Sequence, residues 1–189
     1  MPNITGVVTD LNQPFHFQPA SINKQITINL TSLFTTLHYA IKPLRASPTG
    51  LGKVVIVSSG AAVGNYSSWG AYSAGKAGVN ALARTLANEE AGKIAVWSIR
   101  PGVVDTEMQA DIRAKGESLG MDAPSVKKFK DLHEQGKLVK PEDPSHVLAA
   151  LAVRGTLNDP KTSEGKEAGR EGAFLSWDEE CLKKFRRED

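Results

Sequence analysis

The chain has 189 residues, 40% hydrophobic and 23% charged, with 23 lysines and arginines against 21 acids for a formal net charge of +2. That size and apolar content suit one soluble domain with a buried core, and its interleaved charges, as in KGESLGMDAPSVKKFKDLHEQGK, read as solvated helix surface, against nucleic-acid binding. The lone Cys181 excludes an internal disulfide framework, the four histidines lack zinc-ligand spacing, and no apolar run reaches the ~18 residues of a membrane span, so a cytoplasmic protein without metal or membrane partner is expected.

From Ala20 to Leu44 the residues Ile22, Ile26, Leu30, Leu33, Phe34, Leu37 and Ile41 recur at three- and four-residue steps, which predicts an amphipathic helix packed on a sheet and closed near Pro43. Turn chemistry at 45–52 leads into the β-branched run from Lys53 to Ser59, a strand covered on both faces. Residues 60–70, rich in Gly and Ser, read as a loop, and 71–91 as a second helix stopped by Gly92. A second buried strand follows from Ile94 to Arg100, broken by Pro101 and Gly102. The order helix, strand, helix, strand predicts the α/β class, a doubly wound parallel sheet with right-handed crossovers.

Further on, 105–114 and 123–135 read as short, charged, mobile helices of a lid, and 144–153 as another helix. GAFLSW at 172–177 is a short strand, and the polar, glycine-rich 157–172 segment reads as a flexible insertion within a single domain spanning 1–189.

The segment SSGAAVGNYSSWGAYSAGK at 58–76 carries the chemistry. Tyr72 precedes Lys76 by four residues, so on a helix they share a face, where an ammonium favours the phenolate and makes the tyrosine a usable proton donor. Ser59, 13 residues upstream at a strand end, is placed to polarise a substrate oxygen; Ser58 is its neighbour, and the spacing favours Ser59. The glycine-rich strand–turn–helix that holds a pyrophosphate is not found: Gly50-x-Gly52 precedes a strand, and Gly75-x-x-Gly78 lies within a helix.

With IRPGVVDTEM at 99–108 and Asn29 in TINLTSLF, this pattern resembles the short-chain dehydrogenase/reductase family, especially its fungal benzil reductase and sepiapterin reductase-like members. The resemblance implies a Rossmann-like fold in which MPNITGVV, through Asn3, Thr5 and Gly6, is a degenerate copy of the family's Asn-Asn-Ala-Gly segment. The chain is then expected to begin at the end of the fourth strand, with on the order of 60 or more residues of the cofactor-binding half missing upstream.

It also implies roles for particular residues. Tyr72 is the acid/base, Lys76 its partner and a ligand of the nicotinamide ribose, Ser59 the substrate-orienting serine, and Asn29 the asparagine that distorts its helix and holds a proton-relay water. Pro101, Gly102, Val104 and Thr106 match the segment that grips the nicotinamide carboxamide. The implied activity is NADP-dependent reduction of a small carbonyl such as a diketone, with NAD not excluded, in a homodimer formed through helices 20–44 and 71–91. The alternative is an inactive remnant that serves as an oligomerisation partner.

Overall fold

Two β-branched runs form the parallel strands β1 (Gly52–Val57) and β2 (Ile94–Arg100), in register from Gly52 opposite Ile94 to Val57 opposite Ile99. A third strand, β3 (Phe174–Ser176), pairs in parallel with the far side of β2. The structure, a computed structural model, describes residues 19–187. The matched segment at 3–8 lies outside them.

Every residue of β2 from Ile94 to Ile99 is buried, because helices cover both faces of the sheet. Ile94 and Val96 face one layer, where Leu37 of α2 (Ser32–Arg45) and Val79, Ala83 and Leu86 of α3 (Gly70–Glu89) pack with Val54 and Ile56. Ala95, Trp97 and Ile99 face the other layer, built from Val147 and Leu151 of α6 (Glu142–Arg154) and from Leu182 and Phe185 of the C-terminal 3-10 turn. Ser98 faces α3 and donates to Asn80 Oδ1 at 2.6 Å, so its buried hydroxyl is satisfied within the core. The result is the doubly wound parallel arrangement expected from the element order.

The helix expected over 20–44 is not continuous. It comprises α1 (Pro19–Ile26), a π-helical turn (Thr27–Thr31) and α2, which runs two residues beyond Pro43 to Arg45. The turn lies where α3 comes closest: a Cβ on Gly78 would stand 2.8 Å from Leu30, and one on Gly75 would stand 3.1 Å from the Asn29 Cβ. Two glycines one turn apart thus let α3 lie against the π turn.

The lid helices are present as α4 (Glu107–Lys115) and α5 (Ala123–Glu134). Most of their charged residues face solvent, with Arg113 the exception at a side-chain exposure of 13%, but Ile112, Met121, Val126 and Phe129 are buried in a third apolar cluster with Ala61, Trp69 and Tyr72. Composition predicted a mobile surface; the buried side of each helix makes it a packed cap.

The 157–172 segment likewise carries structure that its polar composition did not announce. Bridges pair Thr156 with Asp159 and Lys161 with Glu167, and the short α7 (Ala168–Glu171) packs against the sheet with Ala168 fully buried. Gly169 is necessary there, since a Cβ would meet the Trp97 ring at 2.8 Å and the Thr156 carbonyl at 2.5 Å. The expected flexible insertion is therefore a folded one, tied down by small residues that read as loop chemistry in the sequence.

Candidate active site

The C-terminal ends of β1 and β2 open to the same side of the sheet, the side where open α/β folds place their ligands. Ser58 and Ser59 leave the end of β1. Ser58 is buried, its backbone N–H bonded to the Ile99 carbonyl and its hydroxyl without a hydrogen-bond partner among the described residues. Ser59 is half-buried; its hydroxyl caps the short 3-10 turn (Gly60–Ala62) by accepting from the Ala61 N–H at 3.1 Å. Of the two serines, Ser59 is the one whose side chain acts on the Tyr72 phenol, lowering its pKa.

Tyr72 and Lys76 lie one turn apart near the start of α3, with the Lys76 Nζ 5.8 Å from the centre of the tyrosine ring. The two are only 7% and 2% exposed. Lys76 donates to the Val57 carbonyl at 2.9 Å, which pins its side chain beneath the end of β1. Burial lowers the lysine to about 8 and raises the tyrosine, a rise that the Ser59 hydrogen bond partly offsets. The expectation of a phenol lowered by a neighbouring ammonium is not met here: desolvation is the larger effect and keeps Tyr72 in its protonated form.

Asn29 is buried in the π turn and lies against Gly75, between Tyr72 and Lys76 in sequence on the facing helix. The expected distortion of the helix at this asparagine is thus present, and it brings Asn29 to the face of α3 that carries both residues.

The segment after β2 is held from an unexpected quarter. Val104 bridges Val139 in parallel, the Val139 N–H donates to the Val103 carbonyl and the Asp105 N–H to the Val139 carbonyl, each at 2.9 Å. Gly102 has φ +80°, and a Cβ there would stand 3.1 Å from both the Trp177 Nε1 and Val139. Glycine answers both demands. Thr106 caps α4, its Oγ1 accepting from the Gln109 N–H at 3.4 Å; Pro101 is half-buried, while Gly102 and Thr106 are exposed. Val139 and Trp177 were not legible as site residues, since neither belongs to a motif and both reach the site only through the fold.

Sequence reasoning also missed the aromatic wall. Trp69 stacks on Phe129 with ring centres 6.0 Å apart and planes 8° apart, Tyr66 lies against both, and Trp69 meets Tyr72 edge-on at 5.6 Å. One available signal was the concentration of aromatics between Ser59 and Tyr72 in a stretch otherwise made of small residues.

Asn29, Tyr72 and Lys76 are buried where the π turn meets α3, and the segment from Pro101 to Thr106 follows the end of β2. The described residues offer no glycine-rich strand–turn–helix for the diphosphate.

The short chain dehydrogenase family model matches residues 3–117. An oxidoreductase of Schizosaccharomyces pombe is 39% identical over 154 residues, covering 82% of this chain and 56% of that protein. Benzil reductase ((S)-benzoin forming) of Saccharomyces cerevisiae is 38% identical over 129 residues, covering 68% of this chain and 49% of the relative. A solved short chain dehydrogenases/reductase structure from Saccharomyces cerevisiae superposes with a TM-score of 0.85 at 33% identity, covering 97% of this chain and 67% of that one. The chain thus spans about half the length of the curated relatives it matches. With the matching family model, these relatives and the doubly wound parallel sheet, the chain belongs to the short-chain dehydrogenase/reductase family.

Proposed function

We propose that this chain carries the acid–base half of an NAD(P)H-dependent carbonyl reductase acting on a diketone or similar small carbonyl, with NADP as the coenzyme implied by the family resemblance. The placement of Tyr72 and Lys76 one helical turn apart, with Lys76 bonded to the Val57 carbonyl at the end of the strand that Ser59 leaves, carries the reading, because it gathers a phenol, a hydroxyl and an ammonium at one strand end, where a carbonyl oxygen accepts from Tyr72 and Ser59. A bound reduced nicotinamide supplies the hydride. Pro101, Gly102, Val104 and Thr106 hold its carboxamide end, and Lys76 its ribose.

Tyr72 donates its phenolic proton to the carbonyl oxygen as negative charge develops there, and Ser59 steadies that charge by a hydrogen bond. Burial keeps the phenol protonated until that moment. Lys76, held near 8, exchanges protons readily at neutral pH and replaces the one Tyr72 gives up, with a water beside Asn29 as the relay.

The purified chain is the material for the test. NADPH binding, followed by cofactor fluorescence, and reduction of benzil are expected, with turnover lost in Tyr72→Phe while binding and circular dichroism persist. Retained turnover in Tyr72→Phe would overturn the role of Tyr72.

A second reading, the inactive oligomerisation partner, is favoured by a groove far from Tyr72. It is lined by Phe34, Leu37, His38, Ile41, Leu82 and Leu86 between α2 and α3, where Phe34 is 54% and the neighbouring Tyr39 74% exposed. Under this reading a folded chain binds no NADPH, and Phe34→Glu turns a dimer into a monomer in sedimentation. A homodimer through α2 and α3 is compatible with both readings.

A further inference from the structure

Between Ser59 and Tyr72, the residues from Ser67 to Trp69 are fastened to the cap. The Ser67 hydroxyl donates to Asp122 Oδ2 at 2.6 Å and accepts from the Asp122 backbone N–H at 2.8 Å, so one side chain closes two bonds between the 60–70 loop and the start of α5. The second carboxylate oxygen of Asp122 accepts from the Ser125 N–H at 2.8 Å and caps α5. Ser68 is buried with φ +65°, the one non-glycine in the left-handed region among the described residues, a backbone state that persists where its surroundings fix it. Trp69 then stacks on Phe129 and meets Tyr72 edge-on.

The two kinds of contact behave differently when the cap moves. Ser67 and Asp122 are half-buried, so water replaces their bonds as they part. Phe129 and Trp69 are buried, and exposing their faces opposes opening and favours reclosure. A hydrogen-bonded clasp at the rim above an apolar seal is the arrangement of a closure that opens locally.

We infer that Ser67 and Asp122 are positioning residues that clamp the cap over Tyr72, so that parting this pair is a step in admitting a carbonyl substrate. Its catalytic meaning rests on the proposed role of Tyr72, whereas the clamp is measured without turnover.

The experiment compares the full chain with Ser67→Ala, which removes both cross-bonds and leaves the Ser125 cap, and with Ser67→Thr, which keeps the hydroxyl. Tyrosine access is read by tetranitromethane nitration mapped by peptide mass, with the exposed Tyr39 as internal reference, and cap opening by amide hydrogen exchange. In Ser67→Ala, nitration of Tyr72 relative to Tyr39 is expected to rise at least fivefold and exchange over 122–130 at least tenfold, while 94–100 keeps its protection. Ser67→Thr should stay near the parent. Asp122→Asn keeps the cap and weakens the acceptor, so it should give the same changes in smaller measure and serves as the second variant. An unchanged Tyr72-to-Tyr39 ratio in Ser67→Ala overturns the inference. So does exchange that rises equally over 94–100, because that is a loss of global stability.

Discussion

The strand–helix–strand unit from β1 to β2 and the cap made by α4 and α5 are held by different physics. In the unit, Ile94 through Ile99 are wholly buried between two helical layers, and Ala83 and Val79 press on them from α3. The cap has one buried side per helix, four large residues on an aromatic wall, and a clasp of two hydrogen bonds. The unit sets where Ser59, Tyr72 and Lys76 stand; the cap sets what reaches them. A site built this way keeps rigid chemistry beneath a removable cover.

The largest test removes the centre of the unit. Trp97 is fully buried against α6, Gly155 and Gly169, so Trp97→Ala should cost about 3–5 kcal/mol and lower the denaturation midpoint of the whole chain. A change confined to the cap would erase the distinction drawn between the two regions. Phe129→Ala sharpens it from the other side. By size alone the loss is about 3 kcal/mol, but it falls on the cap, so hydrogen exchange should rise over 105–135 and much less over 94–100. Equal rises in both segments would show one cooperative body.

The smallest effect probes the junction of the two, through pH. Lys76 is lowered by burial from its ordinary 10.5 to about 8. Between these values the unfolded chain holds the proton and the folded chain has released it, so stability rises with pH across that window. Below about 8 the cost of burying the ammonium is present in full. Tyr72 and Cys181 are both raised, and they act in the opposite direction only above their ordinary values of 10.0 and 9.0. Between pH 8 and 9 the chain should therefore gain about 1 kcal/mol, measured by urea denaturation, and Lys76→Met should flatten that rise. A flat profile in the parent chain would mean that Lys76 is better solvated than its burial implies.

Where side chains repeat along one element, the sequence was enough to read the structure. The continuous apolar run of β2, the helical spacing through Leu82 and Leu86, and the offset of Tyr72 from Lys76 are local signals, and β2 and α3 formed where they predicted. Contacts between distant segments left no such trace. The aromatic wall joins Trp69 to Phe129, the clasp joins Ser67 to Asp122 across 55 residues, and Val139 props the Val104 segment. The cap looked mobile for the same reason: its charged residues dominate composition, while only packing reveals the few apolar ones that hold it.

The sequence by itself determined the α/β order, the two buried strands, the spacing of Ser59, Tyr72 and Lys76 and the family it signals, because those follow from local pattern and spacing. The tertiary structure alone decided the protonation tendencies at the site, the folded state of 157–172 and the closure over Tyr72. Desolvation, close approach and clasping arise only when segments far apart in the chain are brought together.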